Sequence, residues 1–447
     1  MFFNEEILHI PRGINFDCTG CGNCCLQWPV PSTDEDRRRI IDLSREFVEP
    51  STTTVAKGEL AGTPKGQLFR RIDMDVLRNK NNQFQYTMEK RADGRCVFLT
   101  EQNRCALHER FGAESKPAMC QLFPYTFTEA PDGYYASVSF ASTGALFNQG
   151  KPLEDQREHL LNRMSLFKKL FPALKLDWSQ IQLADGIPMR WAQYLLLERP
   201  LLAKLNETIQ STSECQASDW KNSNYIWYTH LESISTQLVK QVPSDFDLER
   251  ATTVPASATS DLLLIRYLLS LYLPETIFSP EDEPSIRDLL RDILAAPSEV
   301  SLELSGSTID LAAACARGLP ALSQECENLL ARYLFARVYS KLYFGPGLAH
   351  FSLIAGFHHL AALVALIRIK LKCILWGAEL SQSGASLAGQ AASKEEQSMI
   401  NFLTVAEVVR NLERRLASYQ HTTESATVLQ VLFESPARFR RLLQLAN

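Results

Sequence analysis

The chain has 447 residues, of which 45% are apolar and 22% are charged, and its formal net charge is −5. This length and composition are typical of a globular protein with two or three domains. The mildly acidic balance argues against nucleic acid or an anionic membrane surface as a partner.

The first residues, MFFNEEILHIPRG, lack the basic start, the apolar core and the small-residue cleavage site of a secretory signal. We therefore expect a cytoplasmic protein without a transmembrane anchor.

The next stretch, FDCTGCGNCCLQW, places four cysteines within eight positions: Cys18, Cys21, Cys24 and Cys25. Because disulfides rarely persist in the cytoplasm, such clustered thiols indicate metal or redox chemistry.

Two successive C-x2-C spacings can direct the thiolates of Cys18, Cys21 and Cys24 to one centre. The same run of cysteines holds four-iron clusters in ferredoxins. Cys25 directly follows Cys24, and neighbouring side chains of an extended segment diverge. It could therefore serve a second metal, or replace Cys24 if the loop turns tightly.

The following residues predict a mixed α+β segment. A helix should begin after Ser32 or Thr33, either of which can cap it, with acidic residues in the first turn. Alternating residues from Phe84 onward lead to a turn at Asp93-Gly94, and a second hairpin is predicted around Pro131-Asp132-Gly133. We assign residues 1–150 to a small, irregular α+β cysteine-cluster domain.

Three further cysteines follow in this domain, each at a turn or at the end of an element: Cys96, Cys105 and Cys120. Apolar neighbours such as Phe98 and Phe123 predict a small apolar shell around a metal centre. His108 could face the same way if a helix begins at Cys105. The predicted metal ligands are therefore Cys18, Cys21, Cys24, Cys25, Cys96, Cys105 and Cys120. The other cysteines are expected to be small buried hydrophobic residues: Cys215, Cys315, Cys326 and Cys373.

The sequence leaves the identity of the metal open, because thiolate sites suit both zinc and iron–sulfur clusters. Three close cysteines with a remote fourth favour a 4Fe–4S cluster, for which Cys120 is the predicted fourth ligand. Cys25, Cys96 and Cys105, with His108 as a further candidate, could then hold a second ion, most plausibly zinc. Pairs of cysteines from two regions would instead favour zinc.

Residues 151–447 are predicted to form a helical domain, so the fold class is mainly α. Residues 286–294 place Ile286, Leu289, Leu290, Ile293 and Leu294 on one helical face, and residues 261–273 predict a buried helix. Residues 346–367 carry no Lys, Arg, Asp or Glu, but histidines and glycines interrupt them, which favours a buried helix over a membrane span. We interpret His358-His359 as core residues rather than metal ligands.

The cysteine pattern resembles a known family. It consists of C-x2-C-x2-C-C, then Cys96-Val97-Phe98-Leu99, Cys105-Ala106-Leu107-His108-Glu109, and Cys120 followed by Phe123-Pro124. This order resembles the CxxCxxCC family of zinc- or iron-chelating proteins, over about residues 16 to 125. Larger members include the flagellin lysine N-methylases, which are similar in length and carry a long, mainly helical remainder.

The resemblance implies an enzyme that methylates protein lysines, with S-adenosylmethionine as the methyl donor and an iron–sulfur cluster as cofactor. It also implies a protein substrate or partner. Two alternatives without catalysis remain. One is a structural-zinc protein that serves as an interaction scaffold, and the other is a factor that handles metal or redox equivalents.

Overall fold

The computed structural model describes residues 7–26, 29–47, 68–72, 83–172, 174–214, 223–249, 257–275, 283–304, 306–383 and 400–447. The chain divides into two units, Met1–Lys175 and Leu176–Asn447. The first unit contains strands and short helices, and the second is mostly helical. The predicted fold class is confirmed, whereas the predicted domain boundary near residue 150 stays a prediction.

Two small sheets and five α-helices form the described part of the first unit. The strands are β1 (Leu8–His9), β2 (Pro31–Thr33), β3 (Phe69–Arg71), β4 (Phe84–Met88), β5 (Tyr125–Ala130) and β6 (Gly133–Val138). The sheet orders are β1-β6-β5, with β1 parallel to β6, and β2-β4-β3, which is antiparallel. The helices are α1 (Asp34–Ser44), α2 (Ala106–Phe111), α3 (Ala118–Leu122), α4 (Thr143–Leu146) and α5 (Arg157–Leu170).

Helix α1 begins where the sequence predicts. The Thr33 hydroxyl accepts a hydrogen bond from the Asp36 N–H, and the Asp36 carboxylate accepts one from the Thr33 N–H. This reciprocal capping box satisfies two backbone donors that the first turn would otherwise leave unpaired. The prediction of a helix capped at Ser32 or Thr33 is therefore confirmed, with Thr33 as the cap.

The two predicted hairpin turns have different outcomes. The turn between β5 and β6 lies at Pro131-Asp132, and full antiparallel pairing follows on both sides. At Asp93-Gly94 the chain also turns, with Gly94 at a φ of 80°. However, only the isolated bridge between Lys90 and Cys96 flanks this turn, so no second regular strand forms there.

The second unit packs its helices around one long central helix. The helices are α6 (Trp191–Glu214), α7 (Ser223–Val239), α8 (Ala258–Tyr272), α9 (Ile286–Ala295), α10 (Leu311–Ala316), α11 (Gln324–Tyr339), α12 (Leu353–Ser383), α13 (Phe402–Ser418), α14 (Thr423–Glu434) and α15 (Pro436–Ala446). Two hairpins accompany them, β7 (Gln182–Ala184) with β8 (Ile187–Pro188), and β9 (Ser301–Leu304) with β10 (Ser307–Asp310). Helix α12 contacts α7, α8, α10, α11, α13, α14 and α15.

The apolar stretch at 346–367 leads into α12, whose residues 353–373 are buried within the second unit. Of the helices that the structure describes, none is long and apolar enough to cross a membrane.

Helix α8 is buried along most of its length, as predicted. Helix α9 buries Ile286, Leu289 and Ile293, whereas Leu294 is 82% exposed. The sequence therefore assigned one residue too many to its buried face.

His358 and His359 are core residues, as predicted. The His358 ring contacts the Phe433 carbonyl oxygen through Nδ1 at 2.6 Å and the Ser235 hydroxyl through Nε2 at 2.7 Å. Because a carbonyl only accepts, Nδ1 carries the proton and Nε2 accepts from the hydroxyl. His359 Nε2 lies 2.9 Å from the Tyr272 hydroxyl, which His421 Nε2 also contacts at 2.9 Å.

Candidate metal centre

Three cysteines lie in or against one apolar cluster, and their thiols raise the pKa of a fourth, Cys120. We name these four residues the four-thiol set: Cys25, Cys96, Cys105 and Cys120. Cys96 belongs to the cluster itself, and Cys25 and Cys105 pack against it. The cluster also contains Ile40, Met88, Val97, Phe98, Leu99, Ala106 and Leu107. The Cys96 N–H donates to the Cys25 carbonyl oxygen at 3.0 Å, which ties the first segment to the second.

The fourth thiol of this set, that of Cys120, lies on α3. Burial raises its pKa well above the ordinary thiol value, and the thiols of Cys96, Cys25 and Cys105 raise the pKa further. Burial likewise raises the pKa of Cys25 to about 12, with contributions from Cys96, Cys105 and Cys24. The structure thus groups Cys120 with Cys25, Cys96 and Cys105. The sequence had instead assigned it to Cys18, Cys21 and Cys24.

Two lysines offset the negative charge that the four-thiol set would carry as thiolates. Lys90 Nζ donates to the Cys25 carbonyl oxygen at 2.9 Å and lowers the pKa of both Cys25 and Cys96, against the dominant effect of burial. Lys116 acts in the same direction on Cys105 and Cys120. Neither lysine was identified from the sequence, although Lys90 closely precedes Cys96 and Lys116 closely precedes Cys120 in the chain.

A buried carboxylate holds the turn that carries Cys120. Asp36 Oδ1 accepts a hydrogen bond from the Ala118 N–H at 3.0 Å, at the start of α3. Arg39 Nη2 donates to the same oxygen at 2.7 Å and to the Lys116 carbonyl oxygen at 2.9 Å. The capping box of α1 and the position of Cys120 therefore depend on one side chain.

The other three cysteines form a second group in the loop before α1, which we name the three-thiol set: Cys18, Cys21 and Cys24. Burial raises the pKa of Cys24, and the thiols of Cys21 and Cys18 add to the rise. Hydrogen bonds from the Thr143 N–H and the Ser142 hydroxyl to the Cys24 sulfur lower the pKa. Cys18 is exposed, in contrast to Cys96 in the four-thiol set, which is buried.

The short 3₁₀ turn Asn23–Cys25 separates the two sets. Gly22 precedes this turn with a φ of 74°, a backbone conformation that glycine adopts at little cost. Cys24 and Cys25 then contribute to different sets, although they are neighbours in the chain. The first alternative from the sequence, that Cys25 serves a second centre, stays a prediction.

His108 lies near the four-thiol set only through its backbone. The N–H of His108 lowers the pKa of Cys105, although burial raises that pKa overall. The His108 side chain itself is exposed on α2.

In the second unit, three cysteines are buried, as the sequence predicts: Cys315, Cys326 and Cys373. Cys215 lies outside the described residues.

The chemistry of the donors fits zinc or an iron–sulfur centre, because both prefer thiolates. In the described parts of the chain, no group of three or more Cys, His, Asp or Glu side chains is already arranged to hold an ion. The thiols of each set are neighbours, so they would have to converge when a metal binds. Such rearrangement is common, since metal binding and local folding are coupled.

We expect Gly150→Ala to destabilise the first unit and to displace the loop of the three-thiol set. Gly150 has a φ of 102°, and an added Cβ would lie 2.3 Å from the Asp17 nitrogen. Overpacking against backbone costs about 1–3 kcal/mol. Gly13→Ala is the matched control, since Gly13 also has a positive φ, 76°, but no atom lies within 4 Å of the added Cβ. Equal losses of unfolding free energy in urea would show that backbone strain, and not the contact with Asp17, explains the effect.

Comparison with known proteins agrees with the cysteine pattern. Residues 17–140 match the model of the CxxCxxCC family, described as "Putative zinc- or iron-chelating domain". This range contains all seven cysteines of the two sets, together with Lys90 and Lys116. No curated protein and no solved structure shows significant similarity to the chain. We conclude that residues 17–140 are similar to the zinc- or iron-chelating domain of the CxxCxxCC family.

Proposed function

We propose that the CxxCxxCC domain binds metal through two separate sets of thiols and that the four-thiol set is a closed, structural site. The observation that carries this proposal is that Cys25, Cys96 and Cys105 lie in or against one apolar cluster and that their thiols raise the pKa of Cys120. Four protein ligands saturate a tetrahedral zinc ion, and four thiolates also suffice for a four-iron cluster. Because the four ligands come from three segments of the chain, a metal bound by this set would cross-link the domain.

The metal content of the full-length protein after gentle anaerobic purification tests this proposal. We expect zinc, or iron together with inorganic sulfide, to be bound to the chain, and Cys105→Ser to reduce the metal content. Cys315→Ala is the control, because Cys315 is a buried cysteine of the second unit. A folded protein with no metal and seven titratable thiols in the first unit would refute the proposal.

The same preparation distinguishes the two types of centre. A brown protein with broad visible absorption that bleaches in air indicates an iron–sulfur cluster. A colourless protein that contains only zinc supports a structural role, and the second unit is then proposed to serve as a protein-interaction scaffold. A cluster that cycles between two oxidation states without methyl transfer would support the metal- or redox-handling alternative.

The proposal of methylase activity is finer and rests on the resemblance of the cysteine pattern to flagellin lysine N-methylases. It assigns to this chain a 4Fe–4S cluster, S-adenosylmethionine as methyl donor and a protein lysine as acceptor. The test is transfer of a labelled methyl group to lysines of candidate protein substrates by the anaerobically purified chain. Cys24→Ser should abolish the transfer if the three-thiol set takes part, whereas Cys315→Ala should leave it unchanged.

A further inference from the structure

Two arginines of α15 share one buried carboxylate in the second unit. The carboxylate is that of Asp261, in the first turn of α8. Arg438 Nε donates to Asp261 Oδ1 at 3.1 Å. Arg441 donates to both oxygens, from Nε to Oδ2 and from Nη2 to Oδ1. We name these three residues the Arg-Asp-Arg cluster. Its two positive charges exceed its one negative charge, so the cluster is formally cationic.

Most of the Arg438 guanidinium lacks an acceptor. The side chains of Arg438 and Asp261 are each only 1% exposed. Nη1 and Nη2 of Arg438 are buried, and within the described part of the chain neither has a hydrogen-bond partner. These two nitrogens carry four of the five N–H donors of the side chain. Because arginine keeps its charge when buried, the unpaired donors destabilise the site, and an incoming acceptor would relieve this.

The backbone that carries Arg438 is held on both sides of the residue. The Arg438 N–H donates to the Ser435 hydroxyl at 3.1 Å, which caps the start of α15. The next residue, Phe439, stacks its ring on that of His358 with the ring centroids 4.1 Å apart. Helix α15 also contacts α7, α8 and α12. The unpaired edge of the guanidinium is therefore preformed by the packing of the second unit.

Two other carboxylates near the start of α15 bind other donors. Glu249 Oε2 accepts from the Ser435 hydroxyl at 2.6 Å, and Glu249 Oε1 accepts from the Ala437 N–H at 3.1 Å. Glu434 Oε1 accepts from the Ser352 hydroxyl and from Gln430 Nε2, each at 3.1 Å. Neither carboxylate bonds to the Nη atoms of Arg438. A ligand from solution can therefore supply the acceptor without displacing these contacts.

We propose that the second unit binds a singly charged oxyanion, a carboxylate or a phosphate diester group, on the Nη1–Nη2 edge of Arg438. This edge presents two parallel N–H donors that match two oxygens of either group. One negative charge also neutralises the Arg-Asp-Arg cluster. The Arg441 side chain is 32% exposed, so its movement gives the ligand a path to the buried edge. The inference does not depend on metal binding by the first unit.

Equilibrium dialysis of the full-length protein tests this site, with labelled acetate and labelled dimethyl phosphate as separate probes. We expect saturable binding of one anion per chain for at least one probe. Arg438→Gln and Arg438→Lys should each weaken this binding about tenfold or more, because the first removes the charge and the second removes the fork. Arg440→Gln is the matched control, since it removes the same charge from an exposed position of the same helix. The control should bind like the wild type.

The variants remain interpretable because Arg441 still pairs with Asp261 in each of them. If Arg438→Gln fails to fold by urea unfolding, Arg438→Lys decides, since it keeps the buried charge. Binding of either probe alone, or of both, supports the inference and identifies the ligand group. Three results would overturn it: no saturable binding of either probe, equal weakening in Arg438→Gln and Arg440→Gln, and unchanged binding in Arg438→Lys.

Discussion

Cys96→Ser is expected to remove the metal of the four-thiol set and to unfold the first unit. Cys96 is buried in the apolar cluster, and its N–H already links the segment of Cys25 to that cluster. Metal binding contributes directly to folding in small thiolate domains, on the order of 10 kcal/mol for structural zinc in isolated peptides. The loss of one of four ligands should therefore have a larger effect than the removal of an ordinary buried thiol.

The measurement is metal content together with urea unfolding, followed for wild type, Cys96→Ser and Cys315→Ala. Cys315 has a buried thiol too, and burial raises its pKa to about 11, but it belongs to the second unit and to neither thiol set. We expect Cys315→Ala to retain all of the metal. If both variants lost equal amounts, the division of the cysteines between metal ligands and core residues would be wrong.

The second unit is expected to lose stability steadily as the pH falls from 6.5 towards 4. Burial lowers the pKa of His358 from 6.5 to about 4, and burial together with His421 and Arg337 lowers that of His359 well below 6.5. Below pH 6.5 the unfolded chain therefore binds protons that the folded chain excludes. The stabilisation is complete above pH 6.5, and each histidine removes about 1.4 kcal/mol per pH unit below it.

Urea unfolding of the second unit between pH 8 and pH 4 measures this slope. His358→Asn removes one titrating ring and should flatten the dependence, even though the variant is less stable at pH 8. His350→Asn is the control, because His350 is exposed and has a φ of 58°, a conformation that asparagine tolerates. This control should leave the slope unchanged. A slope that is identical in all three proteins would place the acid sensitivity elsewhere.

Local sequence signals predicted the elements around the two thiol sets well. The Thr33 cap and the turn at Pro131-Asp132 depend on residues within a few positions of each other, and both are confirmed. The buried face of α9 was overestimated at Leu294, because helical periodicity places a residue on a face without showing where the neighbouring elements end. Periodicity alone therefore predicts that a helix is amphipathic. It predicts less well which residues near the end of the helix are covered by neighbouring elements.

The grouping of the thiols depends on contacts that the sequence does not reveal. Spacing suggested Cys120 as the partner of Cys18, Cys21 and Cys24, because these three lack a fourth thiol. The Asp36 contact to the Ala118 N–H instead holds α3 against α1, which brings Cys120 to Cys25. A hydrogen bond between residues that are 82 positions apart cannot be read from the spacing of cysteines.

If both thiol sets bind metal as proposed, the peptide bond between Cys24 and Cys25 joins them and links their occupancy thermodynamically. An ion in either set restrains the backbone of the 3₁₀ turn Asn23–Cys25, and a second ion then has less chain entropy to remove. By linkage, each set raises the affinity of the other by the same factor. We therefore expect chains with a single ion to be rarer during loading than they would be if the two sets bound metal independently.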